Sequence, residues 1–251
     1  MRTTERLACV ALAALLSAAA RAETAYVSDE QANVVHVIVA PEWSNVSDIP
    51  VGRRPRGMVL SHDGHRLYVA LGNDDRIDVV DLATRRVVDH LPSGPDPERF
   101  ALSPDGQWLY TANESDSTVS FVDIAHRRVA HTVAVGAEPE GMAVSPDGRW
   151  VACTSESASL VHFIDVAGAK LVDSVMVGTR PRDARFSADG RQLWVSSETR
   201  ATVAVFDVAT RKLVHTIDFD RDPRAPDTVQ AVGIVLGPER GYVALGRGNG
   251  V

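Results

Sequence analysis

The sequence predicts an all-β fold, a β-propeller of four-stranded antiparallel blades with a 42-residue repeat. Three observations predict it. Gly64, Gly106, Gly148 and Gly190 stand 42 residues apart at every step, as do Pro55, Pro97, Pro139 and Pro181. Gly52, Gly94, Gly136 and Gly178 keep that interval, and so do Asp81, Asp123, Asp165 and Asp207, so the period runs through four units without an insertion. Between these landmarks lie four short runs rich in β-branched and aromatic residues, bounded by turn residues, which is the pattern of strands rather than helices. Four antiparallel strands in about 42 residues is the size of one propeller blade.

Taken in order, the first strand of a unit is "GMVLS" in type and ends at an Asp-Gly turn, where glycine tolerates the positive φ a tight connection needs. The second is "RLYVA" in type. Leu67, Leu109, Val151 and Leu193 occupy one face of it and Tyr68, Tyr110 and Trp194 the other, as expected of a sheet covered on both sides. The third, "RIDVVD" in type, ends at the Asp81 series, whose carboxylates can accept backbone N–H groups of the next turn. Both aspartate columns are therefore expected to be structural. The fourth, "RVVDHL" in type, ends at the next glycine. Strand one alternates Met58, Phe100 and Met142 with the smaller Val59, Ala101 and Ala143, so it is expected to be innermost, where wedge-shaped blades crowd the axis. Arg185 departs from the small column and is expected to face the channel or a mouth.

The amino terminus is of another kind. Arg2 and Arg6 precede an apolar stretch over residues 7–20, and Ala20, Arg21 and Ala22 supply a small-x-small cleavage signal. Residues 1–22 therefore read as a signal peptide, its apolar run too short to span a bilayer comfortably, and residues 23–251 as the propeller domain. Export to the periplasm is expected, with no membrane span left after cleavage. The leader carries Arg2, Arg6, Arg21 and Glu5, a net +2, so the formal charge goes from −7 to −9. An acidic chain of this kind is not built to grip nucleic acid. Cys9 leaves with the leader and Cys153 remains alone, so an internal disulfide is impossible.

The ends of the repeat are expected to be partial. Tyr26 stands 42 residues before Tyr68, in strand two of a first blade; "GYVALG" at Gly241 echoes "LYVALG" at Leu67. That counts one partial blade, four complete blades and a second partial one. A seven-bladed ring at this period needs roughly 290–310 residues, and 251 less 22 is 229. The chain is thus expected to cover five to six blades and to be incomplete at its C-terminus.

Several phrases carry a likeness to a known family: "YVSDEQANVVHVI", "GRRPRGMVLSHDGHRLYVA", "SGPDPERFALSPDGQWLYTANE" and "VSPDGRWVACTSE". They resemble the YVTN-type propeller repeat. The order of "EPEGMAVSPDG", "HFID", "RPRDARFSADGRQLWVSSE" and "AVGIVLGPERGYVALG" is similar to that of the PQQ-dependent-catabolism-associated β-propeller proteins. The resemblance implies a periplasmic seven-bladed propeller linked to quinoprotein alcohol oxidation, and implies no particular reaction. Val39 departs from the Asp81 series, and this chain is expected to lack the family's final third.

Chemistry is expected at the channel mouth, on the loops "GRRPRG", "GPDPER", "GAEPEG" and "GTRPRD" that enter the innermost strands. Arg56, Glu98, Glu140 and Arg182 follow the four prolines, with Arg54 and Arg99 close by, and Glu114, Glu156 and Glu198 begin the loops between strands two and three on the same face. Two readings are open. Interleaved arginines and glutamates can form inter-blade salt bridges, worth on the order of 0–1 kcal/mol each if exposed, or they can form a polar surface for a partner or an anionic ligand. The enlarged loop "DPRAPDTVQAVG", with Asp222, Arg224, Asp227 and Gln230, belongs to the same mouth.

Other features point to structure. His36 and His162 share a column with Asp78, Ser120 and Ala204, which reads as side-chain variation rather than a metal pair. Cys153 reads as a buried, inert core thiol. No C-x-x-C-H, G-x-S-x-G or nucleotide-binding loop is present, and no cofactor or metal is expected. The leading expectation is a non-enzymatic accessory or binding scaffold whose partner is a periplasmic quinoprotein dehydrogenase, a cytochrome or a solute-binding protein. The alternatives are a metal-dependent lactone hydrolase drawing on Glu114, Glu156, Glu198 and Asn113, or a small-molecule sensor at the channel mouth.

Overall fold

The computed structural model describes residues 23–219, 229–248 and 250–251. Residues 1–22, read above as a signal peptide, and the loop residues Asp222, Arg224 and Asp227 lie outside the described residues. Every regular element described is a strand. The first sheet contains β1 (Thr24–Asp29), β2 (Val34–Val39) and β3 (Ser44–Pro50). Four four-stranded sheets follow: β4 (Pro55–Leu60), β5 (Arg66–Leu71), β6 (Arg76–Asp81) and β7 (Arg86–Pro92); then β8 (Pro97–Leu102), β9 (Trp108–Asn113), β10 (Thr118–Asp123) and β11 (Arg128–Ala134). Next come β12 (Pro139–Val144), β13 (Trp150–Ser155), β14 (Leu160–Asp165) and β15 (Lys170–Met176), and β16 (Pro181–Phe186), β17 (Gln192–Ser197), β18 (Thr202–Asp207) and β19 (Lys212–Asp218). A two-stranded sheet of β20 (Ala231–Leu236) and β21 (Gly241–Leu245) ends the described chain. The four strand types therefore fall where the repeat places them.

Turn chemistry fixes each unit. Gly64, Gly106, Gly148 and Gly190 all adopt φ between +69° and +72°. The aspartate before each glycine is tied down. Asp147, for instance, accepts hydrogen bonds from Ser145 Oγ (2.5 Å) and Arg149 N (3.0 Å), and the Ser145 contact is the main reason its carboxyl sits below the ordinary range. The Asp81 series does the job expected of it: Thr84 N, His126 N, Gly168 N and Thr210 N donate to Asp81, Asp123, Asp165 and Asp207 at 2.7–3.1 Å.

Radial order follows from two contacts. The first strands of successive sheets, β4, β8, β12, β16 and β20, pack side by side, with β1 beside β4. Residues of β4, β8, β12 and β16, together with Ser28 and Glu30, surround one cavity of about 700 Å³. Sheets stacked in a line could not share a cavity in this way. Arg185 lines it, as expected from its column. Instead of a central core, most buried apolar residues among the described ones gather in four clusters, each between two consecutive sheets. One joins Trp150, Val161 and Phe163 to Leu193, Val195 and Phe206; another joins Tyr110 and Phe121, in edge-to-face contact at 4.9 Å, to Met142, Val151 and Cys153. Cys153 is fully buried, and burial pushes its thiol pKa well up, so it behaves as core.

The His36 and His162 column has more order than side-chain variation. Asp78 Oδ2 accepts from Gly52 N (3.0 Å) and His162 Nε2 from Gly136 N (3.0 Å), while in the intervening sheet Asn113 Oδ1 takes Gly94 N (3.0 Å) and Ser120 supports Asn113. Residue identity changes, but the task of capping the glycine that leads to the next sheet is kept. Burial lowers the His162 pKa to about 4, so the ring is neutral; with Nε2 accepting, Nδ1 donates to Ser174 Oγ (2.8 Å). His36 lies on another sheet in its own network with Asp48 and Asp29.

Two glycines separate space from conformation. At Gly148 a Cβ would meet Pro104 at an ordinary 3.6 Å, but φ is +72°. Gly148→Ala is expected to cost about 1–2 kcal/mol and to lower Tm by roughly 2–8 °C. At Gly141 a Cβ would lie 2.7 Å from the Arg182 carbonyl oxygen and 2.9 Å from Asp183 Cα. There the backbones of β12 and β16 must part, and Gly141→Ala is expected to lower Tm by more than Gly148→Ala does; thermal denaturation followed by circular dichroism compares the two.

Candidate functional site

Loops from neighbouring blades converge because blades narrow toward the axis, and this gathers the repeat's charges on one rim. Each entering loop turns on a residue with positive φ: Arg54, Asp96, Glu138 and Arg180, at 53–56°. Two residues later stand Arg56, Glu98, Glu140 and Arg182, so each loop carries a pair of like charges. The order around the rim is basic, acidic, acidic, basic.

The flanking arginine pairs reach inward to the acidic loops. Arg54 Nη2 donates to Glu98 Oε1 at 2.8 Å and lies 3.7 Å from Glu114, while its Nη1 contacts Asp96. Gly72 makes room for it, since a Cβ there would fall 2.7 Å from Arg54 Nη1. Arg56 joins Glu98 and Glu30. On the other flank, Arg180 Nη2 donates to Glu156 Oε2 at 2.8 Å. Arg182 contacts Glu156, lies 3.4 Å from Glu140 and sits 3.7 Å from Glu198. Between the flanks, Arg99 lies 3.5 Å from Glu140 and 3.7 Å from Asp183. Asp183 is itself buried, accepting from Ile234 N (2.8 Å) and facing Arg185 at 3.3 Å.

These ion pairs connect neighbouring blades, but they are not the exposed pairs the repeat suggests. The side chains of Glu98, Glu140 and Glu156 are only 1%, 6% and 8% exposed. Convergence of the loops takes water from the carboxylates and leaves the arginine forks to replace it. For Glu98, burial is the largest effect; with a hydrogen bond shared with Glu114 it pushes the carboxyl up to about 8, against the pull of Arg56. Burial would lower the Arg56 pKa, but Glu98 and Glu30 outweigh that and hold the guanidinium above its ordinary value.

The residues expected for a hard-cation site do not converge. Asn113 spends its amide within the sheet, on Gly94, Thr118 and Ser120. Glu156 and Glu198 gather at Arg180 and Arg182, away from Glu114. Oxygens of Asp96, Glu98 and Glu114 do lie within 4.8 Å of one another, a spacing a divalent cation accepts, yet the Arg54 guanidinium already holds all three.

With this geometry in hand, comparison with known proteins is informative about fold. No family model matches the sequence, and no curated protein does. Solved structures do match. Hydrazine synthase of Kuenenia stuttgartiensis aligns with a TM-score of 0.78 at 20% identity, over 88% of this chain and 70% of that one. A functionally unknown protein from Desulfotomaculum acetoxidans aligns with a TM-score of 0.66 at 17% identity, over 77% and 66%. The likeness is one of fold alone.

Asp96, Glu30, Asp183 and Arg180 are rim or channel residues that the column-by-column reading passed over. A signal for two of them was present: the column of Arg54, Asp96, Glu138 and Arg180 repeats the signs found two positions later. Gly57, Arg99, Gly141 and Asp183 form another such column, in which a Cβ on either glycine would strike the neighbouring strand's backbone within 3 Å.

Glu98 gives this rim a pH signature. Its folded pKa lies above its unfolded one, so below about pH 4.5 both states are neutral and nothing is gained or lost. As pH rises toward 8, the unfolded state releases the proton while the folded state keeps it, and stability falls. Glu98→Gln lacks that loss. Relative to the parent, the variant is expected to gain on the order of a few kcal/mol between about pH 5 and pH 8.5, read from urea denaturation at the two pH values; parallel shifts would reject the assignment. Arg182→Met leaves Glu140 and Glu156 buried beside an apolar group and is expected to cost about 3–5 kcal/mol by the same measurement.

Proposed function

We propose that the protein is a non-enzymatic periplasmic β-propeller that acts as an accessory or binding scaffold in PQQ-dependent alcohol catabolism. The observation that carries the scaffold reading is the rim itself. Like-charged pairs on short loops, anchored by the first strands of rigid sheets, set a fixed basic–acidic–acidic–basic order beside an open cavity, with Glu138 and Arg180 among its exposed charges. A pattern fixed in advance loses little entropy on binding and discriminates partners by charge. The likeness of the repeat phrases to the PQQ-associated propeller family supports the link to alcohol oxidation, and residues 1–22 support the periplasm. Candidate partners are the quinoprotein dehydrogenase, its cytochrome or a solute-binding protein of that system.

Glu138 is the rim charge best suited to a test, because it is exposed and its described side-chain contact is with Ser157. The mature protein, immobilised, is expected to bind one purified member of the system saturably, and Glu138→Lys is expected to weaken that binding about tenfold through charge alone. Surface plasmon resonance against each candidate reads both results, and the absence of saturable binding to all of them would overturn the proposal.

A further inference from the structure

Behind the rim, the channel wall is layered. Arg99, Glu140 and Asp183 form a charged layer, and Met58, Phe100 and Met142 form an apolar one beyond it; all six line the cavity of about 700 Å³. A volume of this size falls in the range of small-molecule sites.

The charged layer is closed at its flanks and open in its middle. Arg54–Glu98 and Arg180–Glu156 meet at 2.8 Å. Arg99 reaches Glu140 only at 3.5 Å and Asp183 at 3.7 Å, and Arg182 reaches Glu140 at 3.4 Å. Those three contacts neutralise charge but exceed the usual hydrogen-bond length. Glu140 is 6% exposed, with little bulk water to complete its shell, while Arg99 is 33% exposed. A buried carboxylate short of close donors thus lies beside a guanidinium fork short of close acceptors. A ligand that brings a donor to the buried Glu140 carboxylate and an acceptor to the partly exposed Arg99 fork supplies the close partners that both lack within the protein.

We propose that the channel binds a small carboxylate that carries a hydrogen-bond donor on the adjacent carbon and an apolar remainder: a 2-hydroxy acid or an α-amino acid. The ligand carboxylate takes the Arg99 fork, whose planar geometry suits it. The neighbouring hydroxyl or ammonium donates to Glu140, and the apolar part lies against Met58, Phe100 and Met142. This rests on the reading of the rim as a binding surface and adds a ligand class to it.

Isothermal titration calorimetry on the mature protein with L-leucine, 2-hydroxy-4-methylpentanoate, 4-methylpentanoate and 3-methylbutan-1-ol tests it. The first or second probe is expected to bind at least about tenfold more tightly than the last two, which lack the donor or the carboxylate. Arg99→Gln is expected to cost about tenfold or more for either ligand. Glu140→Gln separates the sources: an amino acid loses about tenfold because its ammonium loses a charged partner, whereas a hydroxy acid stays within about threefold. Saturation-transfer NMR on the unmutated protein, expected to place the ligand methyl groups against the protein, stands even if a variant does not fold. No binding by either donor-bearing probe, equal binding by 4-methylpentanoate, or full affinity in a folded Arg99→Gln protein would overturn the proposal. Ligand binding without any protein partner would defeat the scaffold reading alone, and the reverse result would defeat this one alone.

Discussion

The four-stranded sheets of this protein are apolar on both faces, and those from β4 to β15 have a neighbouring sheet packed on each face. That packing constraint organises the rest. Val35, Val37 and Ile49 of the first sheet are covered by Leu67, Val69, Leu71 and Val80 of the second, and the same relation repeats to the fourth interface. Burial of this kind is worth about 25 cal/mol per Å² of apolar surface, and here it is spread over interfaces rather than concentrated in one core. Stability and shape have the same origin: wedge-like units that must be covered on both sides turn about an axis, and the axis stays open as a channel.

Crowding at that axis sets the electrostatics. Gly57 and Gly141 let neighbouring first strands approach to distances at which a Cβ would strike backbone. The loops feeding those strands are drawn together, and their carboxylates lose water. An exposed Arg–Glu pair is a minor contributor to stability; a buried one resists the loss of either partner. Glu98 shows how far water is removed: buried between Arg54 and Arg56 and hydrogen-bonded with Glu114, its carboxyl is pushed up to about 8. Charge is kept at this rim because the partners arrive from different blades. Half of the arrangement belongs to each neighbour.

Much of the fold was legible from the chain because the repeat compares equivalent positions. Strand boundaries, the Asp-Gly turns, the capping role of the Asp81 series and the buried Cys153 all belong to columns and follow from local rules. What columns hide is contact between unlike positions. Arg54 pairs with Glu98, 44 residues on, and Arg180 pairs with Glu156, 24 residues back; neither separation is a multiple of the period. The glycine caps were obscured differently: Asp78, Asn113 and His162 do one job from two neighbouring columns, so identity varies while function holds.

The sequence by itself determined the unit: its strands, its turns and the two apolar faces that require neighbours, because each of these is settled by hydrogen bonding and side-chain alternation within some 42 residues. Only the tertiary structure decided which charges meet, which carboxylates lose their water and which guanidinium fork is left with long contacts at the channel wall. Those outcomes depend on distances between residues of different units, and such distances exist only once the sheets have turned about a common axis.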